Sequence, residues 1–325
     1  MKKLWMLGAT LMLSLVLTGC GDKEEAQQVV EPQEEVKEVV KEEVQPTEQT
    51  ISYLGTDYTL TIPAQSIVAA SLEAMEDAAV LGIKPTGVLE IAGAIPTYLA
   101  DELAGAALIG DKKAPNAEAI LTLNPDVIVG TSKWGEDVMS QMNKIATTLP
   151  YSHISTNWKE NLVALGTISG KLDEANKIIA DYDKKAEEAK AQVQEKLADE
   201  EVLVIRIRGG LMNVYPAGVY LNPVLYEDLG LKVPEVVTNA TAQAEITLET
   251  LATLNPDAIF LQFETSENKD AATALDDLLK NPVFANLDAS KNGKVFVNTI
   301  DPLAQGGTGW SKIKFLDAAV ENLLK

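Results

Sequence analysis

The pentapeptide TLNPD stands at 122–126 and again at 253–257, and its flanks agree: EAILTLNPDVIV at 118–129 is echoed by ETLATLNPDAIF at 249–260. Each copy reads as a short helix, an Asn-Pro turn and an apolar strand. Proline ends the helix, and Val, Ile and Phe fill a strand that is covered on both faces. One copy would be an ordinary helix-to-strand connection. Two copies, one in each half of the chain, predict two similar α/β lobes.

The flanking sequence fits that frame. TISYLGTDYTLTIP at 50–63 alternates as a hairpin, QSIVAAS supplies a strand, EAMEDAAVLG at 73–82 a helix closed by Gly82, and TGVLE at 86–90 a further strand. MSQMNKIATTLPYSHI continues the alternation expected of a covered, mostly parallel sheet. GKLDEANKIIADYDKKAEEAKAQVQEKLADE, at 170–200, has strong helix formers and neither proline nor internal glycine. Its central part would span roughly 40 Å, more than one small lobe needs, so it reads as a rigid connector. EVLVIRIRGG opens a second lobe that ends in GKVFVNT and a helix from about 311 to 324. The expected divisions are a lobe over 51–158, a connecting helical segment over 159–199 and a lobe over 200–325.

Ahead of these, Lys2 and Lys3 precede the apolar run LWMLGATLMLSLVL, too short and too early for a membrane span in a mature chain. Residues 1–19 read as a signal peptide. The run ends in LTGC, which resembles a bacterial lipobox, so Cys20, the sole cysteine, is the expected lipidation site; the alternative is a chance cysteine after a simple secretory peptide. One cysteine allows no internal disulfide. Residues 20–50 are rich in Glu, Gln, Val and Lys and read as a flexible acidic tether carrying the lipid. The net charge of −21 argues against nucleic acid as a partner and offers no stripe for anionic lipid. A local basic pocket is compatible with it.

The chain has two arginines, Arg206 and Arg208, at alternate positions of one strand end. Period two puts both on one face, about 7 Å apart, with Ile205 and Ile207 on the other. Like charges so placed imply an anion: either a ligand, or nearby Asp and Glu groups that satisfy them internally. Gly209 and Gly210 follow, where a ligand can approach the backbone, at the carboxyl end of a strand. The first lobe offers Lys112 before the first repeat helix, with Lys113 as its substitute, and Lys133 after the strand of the first repeat. Surface lysines are usually just solvated. Trp134, Tyr215, Tyr220 and Trp310 can face planar rings or fill core and rim. No catalytic signature occurs: neither G-x-S-x-G, a phosphate-binding G-x-x-x-x-G-K-[ST] loop nor H-E-x-x-H, and His153 is the sole histidine. A binding protein rather than an enzyme is expected, with no cofactor and no metal site of its own.

The stretches EAMEDAAVLGIKPTG, PNAEAILTLNPDVIVGTSK, SHISTNWKENL, LVIRIRGG, NPVLYEDLGL, QFETSENKD and FVNTIDPLAQGGTGWSKIKFLDAAVENL resemble, from about 51 to 324, the ferric-siderophore binding lipoproteins of Gram-positive ABC importers. The resemblance implies two lobes on a helical backbone and a monomer lipid-anchored on the outer face of the cytoplasmic membrane. Its ligand would be an iron(III)-siderophore complex, an anionic tris-catecholate of bacillibactin or enterobactin type, in which the siderophore coordinates the iron. It assigns ligand contacts to Lys112, Lys133, Arg206, Arg208 and Gln243. It also marks two departures, Thr241 where a basic contact is expected and Gly209 where a glutamine is expected, which leave a ferric hydroxamate or mixed-ligand siderophore as alternatives. A structural or adhesion lipoprotein is a more distant rival. Partners would be the cognate ABC permease and its ATPase, with Glu118 and Glu249 docking on the permease. The helix dipole alone also favours Glu at those places.

Overall fold

A computed structural model describes residues 45–112 and 115–325. The expected signal peptide, Cys20, most of the expected tether and Lys113 lie outside the described residues. The hairpin is β1 (Thr47–Tyr53) and β2 (Thr56–Ile62), antiparallel about the left-handed Leu54 and Gly55. Its first strand therefore begins inside the stretch read as tether. Cross-strand pairing explains the difference, because Thr50 bonds Thr59 through their hydroxyls at 2.9 Å and draws polar residues into the ladder.

The first lobe contains β3 (Ile67–Ala69), α1 (Leu72–Val80), β4 (Gly87–Glu90), β5 (Ala107–Asp111), α2 (Ala117–Thr122), β6 (Val127–Val129), α3 (Glu136–Asn143) and β7 (Thr147–Leu149). Its strands form a parallel sheet in the order β5-β4-β3-β6-β7. The segment expected as one connector is two helices, α4 (Trp158–Ile168) and the 26-residue α5 (Leu172–Leu197), parted by Gly170 at a φ of 71°. Apolar Ala175, Tyr182, Ala186, Ala189, Val193 and Leu197 mark the buried face of α5.

The second lobe contains β8 (Val202–Arg208), β9 (Leu211–Val214), a π-helical turn at Val224–Asp228, α6 (Glu235–Thr238), β10 (Ala244–Glu245) and α7 (Leu248–Leu254). There follow β11 (Ala258–Phe263), α8 (Ala274–Lys280), α9 (Pro282–Ala285), α10 (Asp288–Lys291), β12 (Val295–Val297) and α11 (Gly309–Leu323). Its sheet runs β10-β9-β8-β11-β12, parallel from β8 through β11 to β12, whereas β9 and β10 are antiparallel additions. A tight return at Gly209–Gly210, both left-handed, permits the β8–β9 hairpin.

The two TLNPD copies do the same structural work. Asn124 and Asn255 take left-handed φ values of 45° and 46°, ending α2 and α7. The aspartate that follows the proline then pins the start of the adjacent central strand. Asp126 accepts from the backbone N–H groups of Gln65 and Ser66 at 2.7 and 2.9 Å, and Asp257 accepts from that of Glu201 at 2.7 Å.

The last helix belongs to both lobes. α11 leaves the second sheet and packs on α1, α4 and α5. Its first turn is fixed to the buried Glu76 and Asp77 of α1: the Thr308 and Ser311 hydroxyls donate to Glu76, each at 2.5 Å, and the Gly309 N–H donates to Asp77 at 2.7 Å. Farther along, the buried Lys312 ammonium meets Asp228 at 2.7 Å and faces the Trp158 and Tyr182 rings.

Candidate functional site

Arg206 and Arg208 close β8 on one face, as the period-two reading requires, and both reach a carboxylate that no motif marked. Glu267, in the 3-10 turn Thr265–Glu267 after β11, accepts from Arg206 Nη2 at 2.8 Å and Nε at 3.0 Å, and its other oxygen lies 3.4 Å from Arg208 Nη2. Of the two readings of the arginine pair, an internal salt bridge is therefore present in this cleft. Arg206 is 8% exposed and its guanidinium lies over the Tyr220 ring at 5.0 Å. Burial works against the guanidinium charge, but Tyr220 and Glu267 outweigh it and hold its pKa above the ordinary range. Arg208 is more open. Its Nη1 donates to the Gln243 amide oxygen at 2.7 Å, and Gln243 is held in turn by the Tyr215 hydroxyl at 3.0 Å and by its own donation to Asn213 at 3.1 Å.

The first lobe contributes from strand ends on the opposite wall. Lys112, after β5, places Nζ 3.9 Å from Glu267, so one carboxylate gathers cations from both lobes. Burial lowers the Lys112 pKa, the Glu267 charge opposes that fall, and Arg208, Arg206 and Lys133 reinforce it. Lys133, after β6, pairs at 3.0 Å with the buried Glu73 at the start of α1. His153 shares a 2.7 Å hydrogen bond with Ser132, and burial followed by the Lys133 charge pushes its pKa down, leaving the ring neutral at pH 7.

These groups line two adjoining cavities of about 470 and 370 Å³ that share Lys112, Lys133, Arg208 and Gln305. Trp134, Leu72, Leu89 and Val138 give the first cavity an apolar wall, while Tyr215, Tyr220, Thr241 and Gln243 line the second. The arrangement is a basic cleft with flat apolar walls, suited to an anion with aromatic or planar parts. Among the described residues there is no group of three His, Cys, Asp or Glu side chains that could hold a metal ion.

The structure thus brings Lys112, Lys133, Arg206, Arg208, Gln243, Thr241 and Trp134 to one cleft. Trp310, in the first turn of α11, is not among the residues lining either cavity and packs on Tyr98 with ring centroids 4.8 Å apart. Gly209 is not a lining residue of either cavity. It is left-handed, a Cβ there would meet nothing within 4 Å, and its N–H donates to the Glu267 carbonyl at 3.1 Å. Three residues that sequence reasoning passed over belong to the site: Glu267, Glu73 and Gln305. Two arginines at alternate positions in so acidic a chain called for a nearby carboxylate, and Glu267 lies within the family-like stretch QFETSENKD, but neither sign singled it out. Gln305 had none, since its loop reaches the cleft by threading between the lobes. There, a Cβ on Gly306 would meet the Tyr220 backbone at 2.3 Å, and one on Gly307 would meet the Ser155 backbone at 2.9 Å.

Glu118 and Glu249 are both exposed and hold equivalent places, at the second position of α2 and α7, behind the side-chain caps Asn116 and Thr247.

Residues 67–300 match the periplasmic binding protein family. Over 324 residues, 99% of both chains, the sequence is 43% identical to the iron-uptake system-binding protein of Bacillus subtilis. The fold superimposes with a TM-score of 0.80 on the triscatecholate siderophore binding protein FeuA of Bacillus subtilis complexed with ferri-bacillibactin, at 46% identity, covering 85% of this chain and 98% of that one. It superimposes with a TM-score of 0.73 on Staphylococcus aureus SirA complexed with staphyloferrin B, at 26% identity, covering 85% and 98%. With this breadth of sequence identity, the shared bilobed architecture and a ligand-sized basic cleft between the lobes, the chain belongs to the periplasmic binding protein family of solute-binding transport proteins.

Proposed function

We propose that the cleft binds a ferric siderophore of the anionic tris-catecholate class and that the protein delivers it to an ABC permease and its ATPase. The convergence of Lys112, Lys133, Arg206 and Arg208 from two lobes, in a chain of net charge −21, carries this reading. The relative solved with ferri-bacillibactin supports the ligand class. Iron(III) stays with the chelator; the protein supplies ion pairs and hydrogen bonds to catecholate oxygens from Lys112, Lys133, Arg206, Arg208 and Gln243. Trp134 and Tyr215 offer ring faces. The chain acts on the outer face of the cytoplasmic membrane, tethered by lipid on Cys20.

The test is a titration of intrinsic fluorescence with ferric tris-catecholates, which should quench at micromolar concentration or below. Binding of a neutral ferric hydroxamate alone, with every tris-catecholate rejected, would overturn the ligand class and leave the transport role standing. That second reading draws on Thr241, which is uncharged, and on Glu73 and Glu267, which take charge out of the cleft.

Delivery is proposed to use Glu118 and Glu249, exposed on equivalent helices, as two acidic knobs on a roughly two-fold partner. Reversing both charges should abolish siderophore-dependent uptake in cells while the isolated protein keeps its affinity. Uptake that persists at equal surface abundance refutes the docking role.

A further inference from the structure

Glu267 is a built-in anion at the centre of the basic cleft, and its surroundings hold it there. Its side chain is 10% exposed, and three of the four cleft cations reach it: Arg206 at 2.8 Å, Arg208 at 3.4 Å and Lys112 at 3.9 Å. The turn that carries it is bolted to the end of β8. Gly209 N–H donates to the Glu267 carbonyl at 3.1 Å, and the buried Asn268 donates to the Ile207 and Glu264 carbonyls at 3.0 and 2.7 Å while accepting from Gly210 N–H at 2.9 Å. A surface glutamate that met two arginines by chance would need no such scaffold.

The three contacts are graded. Arg206 holds one carboxylate oxygen through two nitrogens inside the protein, a charge-assisted geometry that is costly to break. Arg208 and Lys112 touch the other oxygen at longer range and are open to the cleft, so an incoming anion can recruit them without exposing Arg206. Counting Glu73 beside Lys133, two carboxylates offset two of the four cations, and Thr241 adds no charge.

We propose that Glu267 is the residue that sets the charge selectivity of this cleft: it holds Arg206, Arg208 and Lys112 in place without ligand, and its own charge limits how tightly a trianionic chelate is held relative to a neutral one. This rests on the siderophore-binding function proposed above. An internal carboxylate opposes a trianion at short range and exerts no net Coulombic repulsion on a neutral complex, so removing its charge shifts the two affinities unequally, in favour of the trianion.

The experiment titrates the full chain and its Glu267→Gln variant with a ferric tris-catecholate of charge −3 and with a neutral ferric tris-hydroxamate, at two salt concentrations. The ratio of trianion affinity to neutral-complex affinity is expected to rise about tenfold in the variant, with steeper salt dependence for the trianion. Equal changes for both ligands, or a fall in that ratio, would overturn the proposal and leave Glu267 only a positioning role. Glu267→Asp keeps the charge and should keep the parent's selectivity; a charge-selective gain in that variant too would equally overturn it. If no chelate binds either protein, the ligand class fails and Glu267 is judged on inorganic phosphate instead. With two arginines in the chain, the Nε–H signals of Arg206 and Arg208 are resolvable by NMR. Phosphate should move the Arg206 signal in Glu267→Gln and not in the parent, where only the more open Arg208 can respond, and an identical Arg206 response in both proteins counts against the proposal.

Discussion

Arg206 and Arg208 differ by two positions in the chain and by most of their physics. Arg206 is nearly enclosed and shares its carboxylate through two nitrogens, whereas Arg208 is half open and leans on Gln243. Arg206→Ala leaves Glu267 with only its two longer partners in a poorly solvated place. It should cost roughly 2 to 3 kcal/mol of stability, read from the denaturant midpoint, as well as weakening anion binding. Arg208→Ala should leave stability within about 0.5 kcal/mol and act chiefly on affinity for an anionic chelate. Equal stability losses in the two variants would contradict this division. Period two revealed that both side chains share a face; it carried no information on which would be buried.

At the scale of elements, the repeated TLNPD joins helix to sheet in both lobes by one device. Asparagine ends the helix left-handed, proline prevents its continuation, and aspartate satisfies the first N–H groups of the neighbouring central strand. Asp126 satisfies two such groups and Asp257 one. Asp126→Ala should therefore destabilise by about 2 kcal/mol and Asp257→Ala by about 1 kcal/mol, with neither changing the charge dependence of ligand binding. The reverse ranking in thermal melts would show that something other than these hydrogen bonds sets the cost. The letters of the repeat were enough to foresee helix, turn and strand. They did not disclose the aspartate's partners, which lie far away in the sequence.

At the scale of the molecule, the two lobes are joined by α5 and by the seam where α11 meets α1. Glu76 lies wholly buried in that seam, and burial lifts its pKa from 4.5 to about 7 although Ser311, Thr308, Tyr98 and the Gln305 N–H all donate to it. Between those pH values the folded protein holds a proton that the unfolded chain has released. Stability from this group is thus complete below pH 4.5 and is lost as pH rises through about 7. Glu76→Gln cannot ionise and escapes that loss. Denaturant midpoints of the two proteins should diverge in favour of the variant across this window, by on the order of 3 kcal/mol. Parallel pH profiles would show that Glu76 titrates normally. Because Gln305 lies between this seam and the cleft, the same residues tie lobe geometry to the binding surface.

The sequence by itself determined the local elements, the doubling of the α/β lobe, the long connector and the clustering of charge at one strand end. Each of these follows from periodicity, helix and strand propensity, proline, glycine and net charge, which act between residues close in the chain. Only the tertiary structure decided that Glu267 neutralises part of the basic cleft, that α11 crosses back to clasp α1, that β9 and β10 make the second sheet mixed, and that Trp310 packs on Tyr98. These are contacts between distant segments. They depend on which surfaces meet after the lobes fold, and a carboxylate's partner in three dimensions leaves no periodic trace in the chain that carries it.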